Sequence, residues 1–322
     1  MGEIIETGST PYDDVFRTLV VDHRRMLLAF INEMFPDLPD KYRGDERVLP
    51  LSEHFMVNRQ AGEQDKRIID SAVMVIAHNG NERIFHVESQ SNHDGSMIVR
   101  MFEYDTQIAL KTAGDYSNGR LRVTFPQSGV LFLRCNESTP DNLIVEMVLP
   151  DGKEVSYSMP ILKMTAYDAD IIFEKELYLI APFYLFNLEH YFKNRDKISA
   201  EDSEAFRDEL KRFKHNLEIA RDEQKIDDYA YRSILDLFNK VAVALTDGKD
   251  DVYQETEAIM GGQVLDYEAK TILNKGITVG EAKGKTETKN EDINSLAEYF
   301  VKENSSLTYE AAVKMAEGVL NK

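Results

Sequence analysis

The segment from Arg67 to Gln107, RIIDSAVMVIAHNGNERIFHVESQSNHDGSMIVRMFEYDTQ, constrains the fold more tightly than any other part of the chain. Two apolar runs rich in β-branched residues, Ile68 to Ala77 and Arg83 to Val87, flank His78-Asn79-Gly80-Asn81. Asn-Gly between such runs signals a hairpin, because the tight turn needs residues that accept positive φ. The first run holds one acid, Asp70, and the second leads into His86-Val87-Glu88-Ser89-Gln90-Ser91. A carboxylate in a buried strand is costly unless it is paired or holds a metal. Asp70 and Glu88 therefore need a physical reason for their positions.

Strand geometry offers one, subject to parity. Side chains alternate along a strand, so His86, Glu88 and Gln90 share a face. A strict two-residue Asn79-Gly80 loop pairs Asp70 with Ser89 and sends the two acids to opposite faces. A loop with an odd residue count, or one β-bulge, shifts the register by one and brings them together. A shared site requires that odd loop or bulge. Two adjacent carboxylates repel at neutral pH unless a cation lies between them, and an all-oxygen site suits Mg²⁺ or Mn²⁺.

In this order the residues resemble the recombination-promoting nuclease/putative transposase family, a branch of the PD-(D/E)XK nuclease superfamily. The carriers are Arg67-Ile68-Ile69-Asp70, Glu88-Ser89-Gln90-Ser91, Arg100-Met101-Phe102-Glu103-Tyr104 and, near the start, Pro11-Tyr12-Asp13-Asp14-Val15-Phe16-Arg17. The similarity spans residues 10 to 190 and, weakly, the Gly-punctuated segment at 276 to 284. It implies an α/β fold with a restriction-endonuclease-like core, a mixed sheet flanked by helices. It further implies that Asp70 and Glu88 bind Mg²⁺, with the Ser89 carbonyl as a third ligand, and that Asp13 matches an acid at the first helix start. The catalytic set would be Asp70, Glu88, Gln90 and Asp13, and the activity a Mg²⁺-dependent hydrolysis of DNA phosphodiesters with low sequence specificity. A bacterial setting linked to recombination or mobile elements belongs to the same implication.

Two positions depart from the pattern. Tyr12 stands where the family usually has His, and Gln90 where the parent superfamily usually has Lys, although the nuclease branch shares Gln. Gln orients a water by hydrogen bonds but brings no positive charge. Arg100, from the next helix, is a candidate to supply charge, and Arg67 and Lys66 are candidates for phosphate contact; Arg100 is equally an ordinary solvated helix residue. Asp13 also reads as half of a capping box opened by Thr10 and Pro11. His86 either buttresses a metal ligand on the Glu88 face or is a satisfied core histidine. His23 and the Met97/Met101 stripe read as core. No Gly-rich phosphate loop, Gly-x-Ser-x-Gly elbow or Cys/His zinc pattern is present.

The remaining pattern predicts one long helix from Thr10 to Met34, a strand over Leu51 to Gln60, the hairpin, and a helix after Asp94 or Ser96 that Gly114 ends. A strand from Val130 to Arg134, a second hairpin at 143 to 162 and an apolar helix from Glu174 to Phe192 follow. This divides the chain into a nuclease-like domain over 1–192 and an acidic helical C-terminal region over 193–322. Within the latter, residues 199 to 245 read as a helical hairpin, and 248 to 290 as polar sequence with Gly276, Gly280 and Gly284 four residues apart. A small terminal helical pair, suited to packing on a second copy or a protein partner, ends the chain.

Charge is the main objection to a DNA substrate, since the net value is −19 and duplex binding usually needs a basic footprint. Its distribution matters: residues 1 to 135 hold 15 Lys/Arg against 20 Asp/Glu, so most of the acidity lies beyond them. One cysteine, Cys135, excludes an internal disulfide and fits a reducing cytoplasm. The first ten residues show no signal-peptide pattern, and the longest apolar stretch, Leu177 to Leu188, contains Pro182 and is too short for a bilayer. These features predict a soluble cytoplasmic protein with no membrane partner, and DNA as partner is what the resemblance implies. The alternative is a non-catalytic interaction protein that keeps the nuclease scaffold.

Overall fold

A computed structural model describes residues 10–39, 41–51, 71–91, 95–113, 119–193, 198–246 and 249–261, with the backbone alone of 54–58 and 64–68. The chain divides into two compact units, Met1–Gly262 and Gln263–Lys322, and all described residues belong to the first. The glycine-punctuated segment and the terminal helical pair expected beyond residue 262 lie outside the described residues.

Helix α1 (Pro11–Asp22) starts on the capping box: Thr10 Oγ1 accepts the Asp13 N–H at 3.3 Å, and the Asp13 carboxylate accepts the Thr10 N–H at 2.7 Å. The expected stripe of Phe16, Leu19, Val20, Leu27, Phe30, Ile31 and Met34 is buried throughout. The helix is nevertheless two helices. His23, at φ −126° and ψ 60°, leaves the helical region, and α2 (Arg24–Met34) begins after it. No Pro or Gly causes this break.

Next come β1 (Arg47–Pro50), β2 (His54–Asn58), β3 (Gln64–Ile68), β4 (Ser71–Ile76) and β5 (Glu82–Gln90). The strand expected over Leu51 to Gln60 is present as the shorter β2, paired to β3 in a separate two-stranded sheet, and β1 lies ahead of it in a stretch that reads as a loop. Pro50 accounts for the end of β1, since proline gives the ladder no donor and tolerates only an edge. β4 and β5 form the predicted hairpin. Its register runs from Ile76 opposite Glu82 to Ser71 opposite Val87. Ala77 N–H bonds to the Asn81 carbonyl at 2.9 Å, closing a three-residue loop of His78, Asn79 and Gly80 with Gly80 at φ 79°. The loop is odd.

Then follow α3 (Met97–Lys111), β6 (Gln127–Phe132), β7 (Asn142–Val148), β8 (Glu154–Lys163) and α4 (Ala169–Glu174). The main sheet is six-stranded and mixed, in the order β1-β4-β5-β6-β8-β7. β5–β6 and β6–β8 are parallel, and the other pairs antiparallel. The α/β class is as expected.

Alternation sorts the sheet into two faces. Val73, Val75, Phe85, Val87 and Leu131 join the apolar core with α1 and α2. Ala72, Ile84, Val130, Phe132, Met159 and Ile161 lie with α3, through Met97, Met101, Tyr104 and Ile108. The α-helix expected over Glu174 to Phe192 is not formed: α4 ends at Glu174, and Tyr178–Phe186 and Glu189–Tyr191 are 3₁₀, with Pro182 inside the first. Proline cannot serve as an interior α-helical donor, and all nine residues of the segment are buried.

Helices α5 (Ala200–Asp222) and α6 (Asp228–Leu245), capped by the Ser199 and Asp227 side chains, form the predicted helical pair. They extend the core begun by α1 and α2 through Phe206, Leu210, Phe213, Ile234, Phe238 and Val241. Phe213 stacks on Tyr184 of the 3₁₀ segment at 4.7 Å between ring centroids. A further helix, α7 (Asp250–Met260), falls in the polar stretch and buries Val252, Thr256 and Met260. Among the described residues no helix is long and apolar enough to cross a membrane.

Gly129 of β6 lets α2 approach the sheet closely. A Cβ there would run into the Met34 sulfur and lie 3.2 Å from the Pro160 carbonyl oxygen. Gly129→Ala is predicted to destabilise the protein by about 1–3 kcal/mol through overpacking, read as a lowered urea midpoint with unchanged slope.

Candidate functional site

The site is organised by β5, whose residues Phe85 to Ser89 are all buried. His86, Glu88 and Gln90 point to the α3 side by strand alternation, and α3 brings polar groups to meet them. His86 is completely buried, with Nδ1 2.7 Å from Asp105 Oδ1 and Nε2 3.0 Å from Glu88 Oε1. Asp105, also at 0% exposure, accepts the Ser128 hydroxyl at 2.7 Å and, on its other oxygen, the Tyr157 hydroxyl at 3.4 Å. The Tyr104 ring meets the imidazole edge-on at 5.9 Å between centroids. Four elements thus supply one connected network around His86 and Asp105: α3, β5, β6 and β8.

Electrostatics follow from that geometry. Burial alone would lower the His86 pKa, but hydrogen bonds to Asp105 and Glu88 and their negative charges outweigh it and push it up to about 9. The histidine is an imidazolium at neutral pH. Burial and the Asp105 charge together push the Tyr157 phenol upward, so it stays a donor.

The candidates differ in where the structure places them. Glu88 lies in this buried network. Asp13, at the start of α1, is close enough to Glu88 for the charges to interact: burial raises the Asp13 carboxyl, the Thr10 contacts oppose this, and the charge of Glu88 adds to the rise. Asp13 is therefore both a capping residue and a neighbour of Glu88. Gln90 Oε1 accepts from Arg100 Nη2 at 2.8 Å, so the helix arginine is tied to the strand. Ser89 is buried on the opposite face. Arg67 and Lys66 belong to β3, paired with Phe55 and Met56 of β2, and their side chains lie outside the described ones. Asp70 lies outside the described residues.

Beside Asp13, Tyr12 packs edge-on against Phe186 at 5.0 Å. Arg134, just past β6, lies over the same Phe186 ring and grips Glu189 through Nε and Nη2 at 2.8 to 3.1 Å. Burial opposes ionisation of Glu189, but Arg134 and Lys193 hold its carboxyl below the usual range. Among the described residues, the trio whose ligand atoms gather within 4.8 Å is elsewhere, at Asp45, Glu46 and His78 by the hairpin loop. There the Glu46 carboxylate accepts the Arg43 and Gly44 N–H groups at 2.8 and 3.0 Å, which explains the turn without an ion.

Asp105 is the residue that the sequence reading missed. Its signal was present. It follows Met101 by four residues and precedes Ile108 by three, so it lies inside the apolar stripe of α3. An acid there poses the same problem as an acid in a buried strand.

No protein-family model matches this chain, and no curated protein or solved structure matches it significantly. The arrangement is therefore read on its own chemistry.

A buried histidine whose folded pKa exceeds its unfolded value of ~6.5 stabilises the folded state fully below the unfolded pKa. That contribution is lost as pH rises through about 9. Urea midpoints should accordingly fall between pH 6.5 and 9.5, by up to ~3 kcal/mol of stability. In His86→Gln this slope should be largely absent.

Proposed function

We propose that this chain is a Mg²⁺-dependent DNA endonuclease of low sequence specificity, built on a PD-(D/E)XK core and active in recombination or on mobile elements. One observation carries the reading. The odd hairpin loop pairs Ala72 with His86, so that even-numbered residues of β4 and the Glu88 face of β5 lie on the same side of the sheet. The reading requires Asp70 to extend this register by one residue past Ser71, opposite Glu88.

The donor chemistry fits a hard divalent ion. Glu88 and Asp13 are carboxylates near enough to feel each other's charge, and the other proposed donors, Asp70 and the Ser89 carbonyl, are also oxygen. In the proposed site Asp70, Glu88 and the Ser89 carbonyl would hold Mg²⁺, or Mn²⁺ in its place. A bound divalent ion would polarise the scissile phosphate and lower the pKa of a coordinated water. Gln90, anchored by Arg100, orients that water by hydrogen bonding, and the Arg100 guanidinium brings the positive charge that Gln lacks. Asp13 borders the same group. Lys66 and Arg67 remain candidates for phosphate contact.

A second reading, a non-catalytic interaction protein on this scaffold, is favoured by one observation. Glu88 is already engaged by a buried imidazolium, a partner that needs no metal. Calorimetry with Mg²⁺ separates the two, since the scaffold reading expects no binding.

Incubated with supercoiled plasmid and Mg²⁺, the wild-type protein should nick DNA. Asp70→Ala and Glu88→Ala should each lose at least ~100-fold in rate, the equivalent of roughly 3 kcal/mol of transition-state stabilisation. Equal nicking by wild type and both variants would remove the site.

A further inference from the structure

Resting on the metal reading above, we infer that His86 and Asp105 are positioning residues for Glu88. His86 Nε2 lies 3.0 Å from Glu88 Oε1, which restrains that oxygen and so the range of orientations open to the carboxylate. The ring itself cannot turn. Nδ1 is held 2.7 Å from Asp105 Oδ1, the Tyr104 edge abuts the imidazole, and no part of the side chain reaches solvent. Asp105 is in turn fixed by the Ser128 and Tyr157 hydroxyls. The chain of contacts therefore starts on β8 and β6, crosses α3, and ends on one oxygen of Glu88.

Outer partners of this kind typically account for 10–100-fold in metal affinity. A purely structural network would leave metal affinity indifferent to His86.

The test uses the full chain labelled with ¹⁵N-histidine and titrated with Mg²⁺, alongside calorimetry of the same titration. The His86 side-chain resonance is identified as the one lost in His86→Gln. The expected result is a His86 Nε2 shift that saturates with the calorimetric Kd, and a Kd raised about 10–100-fold in His86→Leu. If wild type binds Mg²⁺ while the His86 resonance does not move, or folded His86→Leu binds with unchanged Kd, the positioning role is overturned and the metal reading stands. Should His86→Leu fail to fold, the wild-type imidazole shift decides alone. If wild type binds no Mg²⁺, the metal reading fails and this inference falls with it.

Discussion

A histidine buried between two carboxylates sets the position of everything on the α3 side of the sheet. None of His86, Asp105 and Glu88 reaches more than 5% exposure, and an unpaired charge at such depth is strongly destabilising, by ~3–5 kcal/mol when a partner is removed. The apolar stripe of α3 would tolerate small slides along the sheet, because hydrophobic contact is non-directional. Hydrogen bonds of 2.7 Å to His86 and to Ser128 do not tolerate them. Asp105 therefore pins the axial position of α3. Arg100, a turn and a half earlier on that helix, then lands on Gln90.

The opposite face obeys a different rule. There α1 and α2 pack through Phe16, Leu27, Phe30 and Met34, and closeness is set by volume at Gly129. β5 is the element common to both layers, and its alternation assigns Phe85 and Val87 to one and His86 and Glu88 to the other. Its parallel neighbour β6 ends beside it, with Leu133 N–H bonded to the Gln90 carbonyl at 2.9 Å. Gln90 thus lies at the carboxyl ends of two parallel strands, the usual place for ligand sites in open α/β sheets, while His86 and Ser128 lie further back along them.

Much of this was legible in local chemistry. The capping box, the Asn-Gly hairpin, the helix stripes and the paired helices after residue 199 all follow from patterns a few residues long. The parity of the hairpin did not, since both two- and three-residue loops can carry Asn-Gly; only pairing settled it. The 3₁₀ path through Tyr178–Phe186 was signalled by Pro182 but overridden by hydropathy in the reading. The interruption at His23 has no local signal, because the apolar periodicity runs straight through it. Asp105 was legible as an acid in an apolar stripe, yet its partner is 19 residues away on a strand, and spacing alone cannot name such a partner.

The net charge of −19 bears on the proposed activity less through its total than through its location. At physiological ionic strength exposed charges are screened within ~8 Å, so acids beyond residue 135 count for a substrate only where it passes them. Near Glu88 the balance is local: Asp105 offsets His86, Gln90 engages Arg100, and Glu189 engages Arg134. Arg100 and Arg134 are thus each tied to a protein acceptor. In the proposed site the divalent ion, with Arg100 beside it, would supply the attraction for a phosphate at this end of the sheet. The acids would serve first to recruit that ion, and the nucleic acid would follow it.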